Sequence, residues 1–175
     1  MRGQNPFATI GIADGTGTQA LTTTPTLLGL NALGAVNGDY TAGDAAARPD
    51  KANDRLILGP GTYEIDLQVE GTIDAAQIIT FQLAKNGSAI SGTKAPQSWA
   101  ISTAKNLHTL RAIITLTDSD VPGTISNFSD PSASSYTGAG GAMKEGIPVT
   151  VLVSSGASTP TITVEQLRLT AKRIG

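Results

Sequence analysis

The sequence predicts an all-β fold: an antiparallel two-sheet jelly-roll sandwich preceded by an extended N-terminal arm. Three observations predict it. Several segments alternate apolar and polar residues with a period of two, Gly, Pro and Asn clusters separate them, and no segment carries the three-to-four-residue apolar spacing of an amphipathic helix. The composition agrees, with 20 Gly, abundant Thr and Ser, one Trp, three Tyr and three Phe, and only 15% charged residues. A chain of 175 residues suffices for one domain with a core, since it buries roughly two thirds of its unfolded surface.

Taken in order, residues 1–19 are rich in Gly, Thr and Ala, with Gly11, Gly15 and Gly17 among scattered apolar residues. They read as a flexible arm, and residues 20–175 as the jelly-roll domain. Ala20 to Leu30 carries Leu21, Leu27 and Leu28 with Pro25, and the proline restricts this first strand to an edge. Residues 37–54 read as a long polar surface loop.

The clearest element is Thr62 to Glu70, where Tyr63, Ile65, Leu67 and Val69 alternate with polar residues, the pattern of a half-buried strand. Leu56-Ile57-Leu58 and the turn Gly59-Pro60-Gly61 precede it. Ile78 to Lys85 follows and ends at Asn86-Gly87, a hairpin signal because both residues tolerate positive φ.

Leu107 to Thr117 places His108, Leu110, Ala112, Ile114 and Leu116 on one face. After a Ser-, Gly- and Pro-rich loop over 118–141, Val149, Val151 and Val153 share a face in a β-branched run. The last strand, Thr159 to Arg173, has Ile162 and Val164 at even positions but Leu167 and Leu169 at odd ones. That switch of parity predicts a β-bulge near Glu165-Gln166, since one inserted residue returns both halves to the same face.

Twelve Lys and Arg against 14 Asp and Glu leave a net charge of −2, which offers phosphate backbones and anionic lipid no attraction. Neither nucleic acid nor a membrane is expected as a partner. The lack of cysteine excludes disulfides, thiolate metal sites and a cysteine nucleophile. The start of the chain lacks the apolar core of a signal peptide, so a soluble protein outside the general secretory route is expected.

Three segments occur in the order found in the globular heads of the C1q and tumour-necrosis-factor superfamily: Gly61-Thr62-Tyr63-Glu64-Ile65, then Phe81 to Gly87 ending Lys85-Asn86-Gly87, then Met143 to Val149 with Gly146 before a strand. The chain resembles that superfamily over roughly residues 20–174, departing from it at Ile65, where the family has an aromatic residue, and at Ile147, where it often has an acidic one. The resemblance implies a ten-strand jelly roll that forms homotrimers. Small cysteine-free modules of this kind also occur on tailed-phage particles, as capsid decoration (cement) proteins and as tail-fibre tips.

The chemistry-bearing residues favour no catalytic reading. A Ser-His-acid triad needs a histidine, and the only one, His108, closes an apolar strand face, where a structural or subunit-contact role fits better. Glu64, Asp66 and Glu70 lie on one solvent-facing strand side without the apolar pocket that would split their pKa values. Asp118, Asp120 and Asp130 match no calcium-loop spacing. No catalytic residue, metal site or cofactor is therefore expected.

The expectation is a non-enzymatic structural virion protein, a homotrimer that binds the major capsid protein on the outer surface of a phage head and stabilises the shell. Its candidate capsid contacts are Arg2, Asn5, Phe7, Ile10 and Ile12 in the arm. Trp99 and His108 are the candidate interface residues. The alternative is a receptor- or glycan-binding tail-fibre head working through the loops at 37–54 and 118–141.

Overall fold

The computed structural model describes residues 6–40, 47–101, 105–122 and 146–175. In chain order the strands are β1 (Phe7–Ile12), β2 (Gly17–Ala20), β3 (Thr26–Leu27), β4 (Val36–Tyr40), β5 (Ala47–Asp50), β6 (Arg55–Leu58), β7 (Gly61–Ile73), β8 (Gln77–Lys85), β9 (Ser88–Ala89), β10 (Ala95–Trp99), β11 (Asn106–Leu116), β12 (Ile147–Ser155) and β13 (Thr161–Arg173). Two short 3₁₀ turns, Lys51–Asn53 and Asp118–Asp120, are the helical elements among the described residues.

The strands form two antiparallel sheets. The first has the order β11-β7-β13-β1-β4, with β2 also paired to β13; the second has the order β10-β8-β12-β6-β5, with β3 on β12 and β9 on β8. Neighbours that are distant in sequence, β13 beside β1 above all, are the signature of a jelly roll rather than a meander. The core lies between the sheets: Ile10, Tyr63, Ile65, Leu67 and Val69 from the first meet Leu58, Phe81, Leu83, Trp99 and Val151 from the second, all 0–1% exposed.

The period-two reading of 62–70 and 107–117 holds along β7 and β11, whose alternate residues are buried. The bulge is present: pairing between β13 and β7 shifts between Val164 and Gln166, so that Ile162, Val164, Leu167 and Leu169 all face inward. The hairpin turn is also as expected, with Asn86 at φ 49° and Gly87 at φ 76° between the paired Lys85 and Ser88.

Other expectations are corrected. Residues 7–12 are no loose arm but an interior strand of the first sheet, paired to β13 on one side and β4 on the other. Gly15 donates its N–H to the carbonyl of the bulge residue Glu165 at 2.8 Å, and a Cβ on Gly15 would stand 2.7 Å from the Val164 carbonyl. A Cβ on Gly17 would meet the Leu33 backbone at 2.5 Å. These glycines permit close backbone approach; flexibility is not their role.

The interval 37–54 contains most of β4, all of β5 and a 3₁₀ turn where a loop was expected. Pro49 in β5 is tolerated because β5 is an edge strand. Of the first strand expected over 20–30, Ala20 ends β2 and Thr26–Leu27 form β3, while Leu21, Leu28 and Leu30 are buried outside these strands. Trp99, a candidate interface residue, ends β10.

Candidate assembly surface

The outer face of the first sheet is built by the residues that the alternation leaves behind. Reading across β11, β7, β13 and β1, registered rows run Thr109–Gln68–Arg168–Gly11, Arg111–Asp66–Thr170–Thr9 and Ile113–Glu64–Lys172–Phe7. Beyond Gly11 lies its partner on the edge strand β4, Val36, which is 59% exposed. Leu107 and Ile113 on β11 are 56% and 68% exposed. Large apolar side chains at solvent-facing positions thus stand at both margins of a broad polar sheet.

Charges of both signs occupy the same face. Arg111 donates through Nε to Glu64 at 2.6 Å and through a terminal nitrogen as well. Lys105 lies 2.7 Å from Glu165 and 3.3 Å from Glu70, and these two carboxylates, Glu165 first, hold its ammonium above the ordinary lysine range. A depression of about 440 Å³ opens between the rows, with Thr9, Gly11, Val36, Gln68, Leu107 and Arg168 in its lining. Gly11, without a side chain, leaves part of that space open.

Of the expected capsid contacts, Arg2 and Asn5 lie outside the described residues. Phe7 is on the outer face in the row of Lys172, half-buried. Ile10 and Ile12 are 0% and 6% exposed and belong to the core, which removes them as surface contacts, because β1 turns its even positions inward. Leu107, Ile113 and Val36 were not singled out from the sequence. Their signal is legible in retrospect for Leu107 and Ile113, apolar residues at the odd positions of a strand whose even positions are already apolar.

Trp99 and His108 are buried together, at 0% and 1% exposed, so neither is a surface contact of this chain. The indole Nε1–H donates to His108 Nδ1 at 3.0 Å, which assigns the ring proton to Nε2, and Nε2–H donates to the Ala95 carbonyl at 2.8 Å. Phe81 meets the imidazole edge-on with ring centroids 4.6 Å apart. Burial pushes the His108 pKa below its ordinary value, against the smaller opposing effect of the Ala95 carbonyl.

The other polar clusters have structural partners. Asp120 accepts from Lys85 at 2.6 Å and from the Thr117 N–H at 2.9 Å, contacts that hold its carboxyl below the usual range, Lys85 foremost. Asp118 lies in the same 3₁₀ turn, and Asp130 lies outside the described residues, as does most of the expected loop 118–141. Among the described residues no three His, Cys, Asp or Glu side chains converge as a metal site, and no helix is long and apolar enough to cross a membrane.

No family model matches the chain, and no curated protein does. Solved structures do. "PRD1 vertex protein P5" is similar with a TM-score of 0.55 and 13% identity, over 99% of this chain and 99% of that one. A TNF structure, Eiger from S. frugiperda, is similar with a TM-score of 0.53 and 13% identity, over 97% of this chain and 94% of that one. At such identity the likeness establishes the fold, and the chain is a jelly roll of TNF-like kind.

Proposed function

We propose that this chain is a structural virion protein: a homotrimer that decorates a phage head on its outer surface and stabilises the shell by binding the major capsid protein. The observation that carries the reading is the outer face of the first sheet, where exposed Leu107, Ile113 and Val36 surround interleaved charges of both signs. Such a face suits contact with copies of itself, since burying scattered large apolar residues favours association and mixed charge supplies register. End-to-end likeness to a phage vertex protein supports a particle-associated role. Cement action is then mass action, because a ligand that binds only assembled shell shifts the equilibrium toward it, and a trimer engages neighbouring subunits with avidity. With Ile10 and Ile12 inside the core, the capsid contact rests on Arg2, Asn5 and Phe7.

Two measurements test this. Sedimentation equilibrium should give a trimer, and the double variant Leu107→Asp, Ile113→Asp should weaken it by about 100-fold, as expected for two apolar contacts buried on association and each contributing ~1–2 kcal/mol. Quantitative mass spectrometry of purified particles should find copies comparable to the shell protein. A few copies per particle would instead favour a receptor- or glycan-binding tail-fibre head, and a monomer unaffected by the double variant would remove the trimer.

A further inference from the structure

The edge where β10 meets β11 is closed by polar bonds between side chains and the opposite sheet. β10 has one ladder partner, β8, and is otherwise held to β11 of the other sheet. Gln97 donates to the Leu107 carbonyl at 2.6 Å, and Asn106 exchanges two bonds of 3.0 Å with the backbone of Ala100. At the centre, His108 ties down both ends of β10, accepting from Trp99 and donating to the Ala95 carbonyl.

Both ring nitrogens are therefore committed in the neutral form. A second proton on Nδ1 would set one N–H against the indole N–H, with no acceptor to receive it. Nor, among the described residues, does an anion stand by to balance an imidazolium. Glu64, Asp66 and Glu70 on β7 and Arg111 on β11 stand at alternate positions on the outer face. On β8, Lys85 is bonded to Asp120, β10 carries no charged residue, and its flanking Lys94 is exposed. The rings of Phe81 and Trp99 lie against it.

We propose that His108 makes the β10–β11 edge an acid-sensitive latch: solvent protonation of Nδ1 breaks the Trp99 bond, and β10 separates from β11 while the first sheet stays intact. The opened form exposes Trp99 and Phe81 and lets the imidazolium reach water. The device depends on this edge alone and stands whether or not the chain decorates a particle.

Hydrogen exchange resolved by residue, from pH 7.5 to 5, tests it on the full chain. After correction for intrinsic rates, the opening constant of the Trp99 indole N–H and of the Ala100 amide, the two N–H groups bonded across this edge, should rise by up to about tenfold per pH unit below the ordinary histidine value of 6.5. Amides of β7 and β13 should keep their protection, and His108→Gln, which does not titrate, should show no rise in β10. An equal rise in His108→Gln, or simultaneous loss across β7 and β13, overturns the latch. Should His108→Gln not fold, the ¹⁵N shifts of the imidazole in the unaltered protein decide: Nδ1 must gain its proton over the same pH interval in which β10 opens. Protonation with β10 still protected, or opening with the ring still neutral, overturns the proposal.

Discussion

The two lateral edges of the sandwich satisfy buried polar groups in opposite ways. At the β10–β11 edge the polar centre is neutral: one imidazole, one indole N–H and one carbonyl, complete with two hydrogen bonds. At the β5–β6 edge it is ionic. Asp50, 0% exposed, accepts from Arg55 at 2.7 Å and from the Asn53 amide at 2.9 and 3.0 Å, and Arg48 beside it is 3% exposed. Asp54 closes the same hairpin at φ 55° and accepts from the Asn31 N–H at 2.6 Å; burial foremost, with nearby Asp50 adding, raises its pKa. The contrast teaches that a neutral pair is responsive, since one proton undoes it, whereas an ionic cluster is intolerant of losing a member.

The largest effect expected from this comparison is that of Asp50→Ala, which removes the buried carboxylate that Arg55 and Asn53 bond. Removing one partner of a buried ion pair costs about 3–5 kcal/mol, so the urea midpoint should drop steeply at unchanged slope. A loss below about 1 kcal/mol would mean that the cluster behaves as a surface pair.

Trp99→Phe should come next. It leaves the ring plane but removes the donor to His108 Nδ1, orphaning a buried acceptor at about 1–3 kcal/mol. It should also change the pH profile. Because burial lowers the folded-state pKa of His108, its contribution is fully present above the unfolded value of 6.5 and is lost as pH falls through the folded value. With the opposing indole N–H gone, that acid loss should shrink, as urea titrations at pH 7.5 and 5.5 would reveal.

The smallest effect belongs to the Lys85–Asp120 pair. The carboxyl of Asp120 is depressed in the folded chain, so its contribution is present above the ordinary value of 3.8 and lost only as pH falls below it. Asp120→Asn should flatten stability below about pH 4 and leave the decline attributed to His108 untouched. If the variant alters the profile between pH 5 and 6.5 instead, the two acid steps have been misassigned.

How much of this was legible depended on how plainly each strand alternates apolar and polar residues. β7, β11, β12 and β13 have one solvated and one buried face, and their alternation is plain. The bulge followed from parity alone, because Val164 and Leu167 cannot otherwise share a face. By contrast β5 (Ala-Arg-Pro-Asp) and β10 (Ala-Pro-Gln-Ser-Trp) are edge strands whose proline and polar residues imitate loop composition. β1 was missed for another reason: its outward positions include Thr9 and Gly11, and it is held in place by pairing with residues some 160 positions away. The assembly surface was legible only as leftover apolar residues at polar positions.

By itself the sequence determined the all-β class, the inward faces of β7, β11, β12 and β13, the type I′ turn at Asn86-Gly87 and the place of the bulge, because periodicity and turn chemistry are local. Only the tertiary structure decided that residues 7–12 are an interior strand, that Trp99 and His108 satisfy one another, and that Leu107, Ile113 and Val36 share one surface. Those outcomes arise from pairings between distant segments, and a local pattern is the same whether the face it builds meets the opposite sheet, another chain or water.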